Sequence, residues 1–328
     1  MLKRKSLLLA MLPGAAALVV AVSAGAQEFP VKPLRVLLPY PVGTGPDIVG
    51  RSMSVAMGKV LGQNIVFENK QGGGGVPAVM DMKGSPPDGY TMVLSDQGVW
   101  SILPVVQDNL PFDPLKDFAG VGGVYSNALF YVVAGNSPIK SMKDIVTMAK
   151  AKPGDLRYGV TGVGGIMHLT GEAFAHATGI KLTVVPFRAT AESVSNIIAG
   201  DLDFALAGNN PVVFAMLQAG KIRNIASTGP VRDRYMPDIP SVNESAGISG
   251  YNFNAEIGLF ARSGTPRPII DKLAKALSSA QKDPAFLDTL KKLEYNVYAT
   301  TPDEFAARMR SDLEKFRAVA KAGNIKAQ

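Results

Sequence analysis

Apolar residues in this chain follow two alternating rhythms: short continuous runs, and longer stretches in which they recur every three or four positions. Residues 34–38 form one such run, ending at Pro39 and passing into a Gly/Pro loop. Continuous runs of this length predict strands buried on both faces. From Pro46, Val49, Met53, Met57 and Val60 recur at helical spacing and predict an inward face, and Gly62 stops the helix. Residues 64–67 are the next strand, so the unit predicts parallel neighbours joined by a right-handed crossover. Further strands are predicted at 91–94, 129–133, 157–161, 182–185, 204–207, 222–227 and 257–260.

Helix starts punctuate these strands. Ser141 and Asp144 form a capping-box pattern, and that helix ends at Pro153-Gly154. A helix through His168, Leu169, Glu172 and Phe174 closes near Gly179. Thr265-Pro266 opens another, with Ile269, Ile270, Leu273 and Leu277 inward. Thr301-Pro302-Asp303-Glu304 is a capping box with proline at the first helical position; Phe305, Met309, Leu313 and Phe316 follow on one face until Gly323. The alternation predicts an α/β fold throughout.

Composition narrows the function. The chain has 328 residues, 47% hydrophobic and 19% charged, enough apolar matter for one large or two medium domains. Lys3, Arg4 and Lys5, the apolar stretch 7–22 and the small-x-small site Ala24-Gly25-Ala26 predict an export signal spanning 1–26, cleaved before Gln27. No other long apolar stretch follows, so the exported chain is expected to be periplasmic, monomeric and not inserted in a membrane. The formal charge of +7 falls to +4 without the leader, too mild a bias for a nucleic-acid partner. With no Cys and only His168 and His176, thiolate chemistry is excluded and neither a metal site nor a cofactor is expected. No nucleophile elbow is present, and neither glycine loop matches a dinucleotide or Walker fingerprint.

Three loops carry candidate binding chemistry, each after a predicted strand. The first, 39–47, holds Tyr40, Pro41, Val42, Gly43, Thr44 and Asp47 before a helix. Helix-start amides lack intrahelical partners and the dipole there favours an anion, so a carboxylate is the natural occupant. The alternative is an ordinary turn in which Asp47 only stabilises the first helical turn. The second loop, with Thr161, Gly162, Gly164, Gly165 and His168, repeats the arrangement; His168 either donates to a ligand or packs. The third offers Ser95 and Gln97, with Trp100 as pocket lining or core. Residues 72–75 are read as a mobile turn.

These segments, with 29–35, Glu68-Asn69-Lys70, 87–91, 110–114, 116–118, 185–187, 219–221, 240–242 and 264–266, occur in an order that resembles the Bug/TctC family. These are extracytoplasmic solute receptors of tripartite tricarboxylate transporters. The resemblance implies a two-lobed periplasmic-binding-protein fold, type II-like, with a ligand cleft between lobe I (27–126 plus 250–328) and lobe II (127–249). It implies capture of a small mono- or dicarboxylate, aromatic acids included, on the first loop. The second loop would close over it, with Phe187, Arg188, Ala189 and Asn209 along the wall. It also implies hand-over to membrane transporter subunits and no catalysis. A sensor that docks on a membrane kinase remains an alternative, and a secreted hydrolase or lyase a more distant one. The chain departs from the family where Gly43-Thr44 stands in place of two adjacent glycines, and Pro46 removes one potential donor.

Overall fold

The computed structural model describes residues 29–326, so the expected leader lies outside them. The first segment comprises β1 (Leu34–Leu38), α1 (Gly45–Leu61), β2 (Ile65–Asn69), α2 (Val76–Gly84), β3 (Thr91–Asp96), α3 (Leu103–Val106), α4 (Pro114–Asp117) and β4 (Phe118–Asn127). The second comprises β5 (Leu129–Ala134), α5 (Met142–Ala151), β6 (Arg157–Thr161), α6 (Ile166–Thr178), β7 (Thr183–Phe187), α7 (Thr190–Ala199), β8 (Phe204–Gly208), α8 (Pro211–Gln218), β9 (Ile222–Ser227) and α9 (Val242–Ala246). The chain then returns through β10 (Ala255–Arg262), α10 (Arg267–Ala280), α11 (Pro284–Lys292), β11 (Asn296–Val297) and α12 (Pro302–Ala322).

These strands make two sheets, and the two are built alike. The first runs β11-β4-β10-β3-β1-β2; the second runs β7-β6-β8-β5-β9. In the first, β1 pairs in parallel with β2 and β3, and β10 is antiparallel to β3 and β4. In the second, β6 pairs in parallel with β7 and β8, and β5 is antiparallel to β8 and β9. So β1 and β6 hold equivalent positions, each flanked on both sides by a parallel strand.

Helices cover both faces of both sheets, which is why the strands read as continuous apolar runs. Val49, Met53 and Met57 of α1 pack with Leu273 and Leu277 of α10 and Phe286 of α11 on one face of the first sheet. Trp100, Phe260 and Phe305 fill the other face. In α1, Val60 is 50% exposed and Leu61 takes the inward place. At 3.6 residues per turn the buried face has drifted by the fourth turn.

The chain crosses between sheets at Ala128 and again between Ser227 and Ala255. Packing crosses these points too. Tyr251 and Phe253 join the second lobe's core, as do Phe316, Val319 and Ala320 at the end of α12. α12 therefore braces both lobes: Phe305 and Met309 belong to the first. Both capping boxes, at Ser141 and Thr301, form as the spacing predicts.

Candidate functional site

Because β1 and β6 each stand at a point where the strand order reverses, the crevice beyond their carboxyl ends is where an α/β sheet receives ligands. A cavity of about 340 Å³ lies there, lined by both lobes. The first lobe contributes Pro39 and Tyr40 after β1, Gly72, Gly74 and Gly75 after β2, and Asp96, Gly98 and Val99 after β3. Ile102, Leu103 and Val106 form one wall, and Val163, Gly164 and Gly165 after β6 face them from the second lobe. Other hollows, such as the one between Ser54 and Ile65, are lined by one lobe alone.

Local chemistry explains how each loop holds its shape. In the first, Asp47 is turned inward. Its carboxylate accepts from the Gly43 amide at 3.0 Å, from Arg51 Nε at 3.0 Å and from Asn69 Nδ2 at 2.9 Å. Burial pushes this carboxyl up, but Arg51 and the two amides outweigh it and hold it below the usual carboxylate range. The Thr44 hydroxyl donates to the Pro41 carbonyl at 2.7 Å, tightening the turn. In the second loop, His168 Nδ1 accepts from the Gly164 amide at 3.1 Å. Burial lowers the ring's pKa, with Glu172 opposing, so the imidazole is neutral and its proton sits on Nε2. The Gly162 amide donates to the Phe187 carbonyl. At the starts of both α1 and α6 no side chain caps the helix, so first-turn amides, such as those of Ile166 and Met167, have no intrahelical acceptor.

Of the residues expected at the site, Tyr40, Gly164 and Gly165 line the cavity. Pro41, Val42 and Gly43 are exposed and do not belong to its lining. Thr44 and Asp47 support the loop, and His168 supports the opposite one. The Thr161 hydroxyl stands 3.5 Å from that of Thr190. Phe187 packs in the second lobe, while Arg188 and Ala189 are exposed, the Arg188 amide donating to Glu192. Asn209 is buried and donates to Glu294 of the first lobe at 3.0 Å. Beside that bond, Asn296 donates to Asp233 at 3.2 Å and the Tyr235 hydroxyl to the Tyr295 carbonyl at 3.3 Å, so the lobes are also joined outside the cavity.

Ser95 and Gln97 do not reach the cavity lining. Gln97 is buried, donating to Asp312 and accepting from the Glu256 amide. The Ser95 hydroxyl is buried without a partner among the described residues. Strand alternation points residues 95 and 96 to opposite faces, and it is Asp96 that lines the cavity. Its Oδ1 accepts from the Gly98 amide at 2.9 Å, and its own amide donates to the Tyr40 hydroxyl at 3.1 Å. Burial pushes the Asp96 carboxyl up, against the Tyr40 hydroxyl and the Gly98 and Val99 amides. Trp100 is core, packed against Phe260 and Phe305.

Gly72, Gly74 and Gly75, from the run read as a mobile turn, also line the cavity. Gly74 and Gly75 have φ of 63° and 100°, and a Cβ at Gly75 would lie 2.9 Å from Val99. The signal was available: four glycines in a row just after a strand suit a close backbone approach. Among the described residues, no group of three His, Cys, Asp or Glu is placed to hold a metal, and no helix is long and apolar enough to cross a membrane.

The family model of the tripartite tricarboxylate transporter family receptor matches residues 49–325. The chain is similar to a Cupriavidus necator protein, the UPF0065 protein in the gbd 5' region, 31% identical over 306 residues and spanning 93% of this chain and 92% of that one. A solved periplasmic transporter is 32% identical with a TM-score of 0.75, over 91% of this chain and 99% of that one. MatC from Rhodopseudomonas palustris, with bound malate, is 26% identical with a TM-score of 0.73, over 89% and 99%.

Proposed function

The chain belongs to the tripartite tricarboxylate transporter receptor family, and from that premise we propose that it is an exported periplasmic receptor that captures a small organic carboxylate between its lobes. The observation that carries this reading is the shared cavity, where loops after the equivalent strands β1 and β6 meet. The α6 amides and dipole suit an anion. Closure would remove water and strengthen each hydrogen bond to it. The malate seen in MatC supports the same ligand chemistry. The protein acts as a monomer, catalyses nothing, and presents its closed form to membrane transporter subunits.

Thermal or denaturant unfolding with a panel of organic acids tests the reading. A ligand at about 100 times its dissociation constant adds about 2.7 kcal/mol of stability. A panel in which sugars or cationic amino acids stabilise the protein and no carboxylate does would refute it.

A further inference from the structure

The cavity is unequal in chemistry from end to end, and that asymmetry deepens the carboxylate reading on which this inference rests. Val99, Ile102, Leu103 and Val106 come from one stretch, a π-helical turn at Gly98–Ile102 running into α3, and Val163 faces them from the second lobe. No lysine or arginine belongs to the lining. An adjoining hollow that shares Gly74, Leu103 and Val106 with the cavity is lined by Lys326, whose charge is already paired with Asp108 at 3.3 Å. The one ionisable acid in the lining is Asp96, fixed by the Gly98 amide. A ligand carboxylate can therefore be met by main-chain amides, but a second one finds an apolar wall and a carboxyl group already in place.

We infer that the ligand carries a single carboxylate on an apolar body, and that Asp96 sets this preference by excluding a second carboxylate from the cavity. Two effects act together. An unpaired anion against the 99–106 wall loses its hydration without compensation. Beside Asp96 it also meets a second carboxyl group, and the two cannot both ionise in one desolvated site without cost, which discriminates between otherwise similar ligands. An apolar terminus meets neither penalty and gains burial against Leu103 and Val106. Asp96 is thus a specificity-determining residue rather than an anion-binding one.

Isothermal titration of the full exported chain with matched probes tests this. Hexanoate is compared with hexanedioate, and 3-phenylpropanoate with 4-(2-carboxyethyl)benzoate. The monocarboxylate of each pair should bind at least about tenfold tighter. Asp96→Asn keeps an acceptor for the Gly98 amide, since Asn serves as well as Asp at such a cap. It should narrow the difference to within about threefold by improving the diacid. A second variant, Leu103→Ala, should weaken the monocarboxylate and leave the diacid little changed. Diacids binding as tightly as their monocarboxylate partners in the unsubstituted protein would overturn the inference while leaving carboxylate capture standing. An unchanged ratio in Asp96→Asn would remove Asp96 from its role. If no acid of either kind binds, the carboxylate reading falls and this inference with it.

Discussion

The loops after β1 and β6 occupy equivalent places in two sheets of the same strand order, yet they are stiffened by different chemistry. In the first, an ionised carboxylate, Asp47, holds the Gly43 amide and is itself held by Arg51 and Asn69. In the second, a neutral ring, His168, holds the Gly164 amide. The first loop thus carries a charged internal anchor on the Gly43 amide, while α1 begins at Thr44 without a side-chain cap and Pro46 supplies no donor. The second is anchored by an uncharged ring, and α6 begins at Gly165 without a side-chain cap. Under the proposed carboxylate reading the uncharged second loop is the better seat for an anion, and the first lobe supplies walls and Tyr40. Equivalent topology fixes where a loop sits; the internal acceptor decides what the loop can still bind.

The largest expected effect comes from removing the charged anchor. Asp47 is 3% exposed, and Asp47→Ala takes the acceptor from the Gly43 amide and from one N–H of Asn69, although Asn69 keeps the Tyr40 carbonyl and Arg51 is half in water and keeps its solvation. Urea unfolding should show a loss of about 2–3 kcal/mol. A loss below about 0.5 kcal/mol would mean the anchor is not what orders this loop.

His168→Ala removes the neutral anchor and should cost less, about 1–2 kcal/mol, because only the Gly164 amide is left without its acceptor. Ligand affinity should fall as well, since Gly164 lines the cavity. The signature that separates the two loops is pH. Burial lowers the pKa of His168 in the folded protein, so its stabilising contribution is complete above the unfolded value of about 6.5 and is lost as pH falls through the folded pKa. Asp47 is also lowered when folded, but from a carboxylate's starting point, so its contribution persists through that window and is lost only in stronger acid. Unfolding measured from pH 7.5 to 3 should show the difference between the wild type and His168→Ala shrinking first, and the difference from Asp47→Ala shrinking later. The opposite order would invert the comparison.

Most of the fold was legible in the pattern of apolar positions, since β1, β6, β8 and the capped helices α5 and α12 all carry strong periodicity or caps. The residues that escaped it have physical reasons. β4, for which no strand is predicted, contains Gly120, Gly122 and Gly123; the strand needs them because a Cβ at Gly123 would clash with the Tyr298 ring and one at Gly120 would press on Phe305. Glycine there marks close packing, not a break. At the site, the strand end after residue 94 was legible but its facing was not: Ser95 and Gln97 look like better ligand groups than Asp96, and alternation turns them to the other face. The inward turn of Asp47 depends on Arg51 and Asn69, and Asn69 arrives from β2, a contact that no local spacing reveals. The lobe-bridging Asn209–Glu294 bond joins residues 85 positions apart and was out of reach for the same reason.

The smallest effect sharpens the comparison at the rim of the first loop. Thr44 stands where the family resemblance leads one to expect glycine, and its hydroxyl could be taken for a ligand donor. In the structure that hydroxyl is already bonded to the Pro41 carbonyl at 2.7 Å, and Thr44 does not belong to the cavity lining. Thr44→Val keeps the β-branched shape and removes only that bond, which is at the surface where water replaces it. Stability should fall by about 0.5 kcal/mol and carboxylate affinity should stay within about twofold. If affinity instead drops tenfold or more while stability holds, the hydroxyl is reaching the ligand. The first loop would then be a second anion seat, and the division of labour between the two lobes would have to be redrawn.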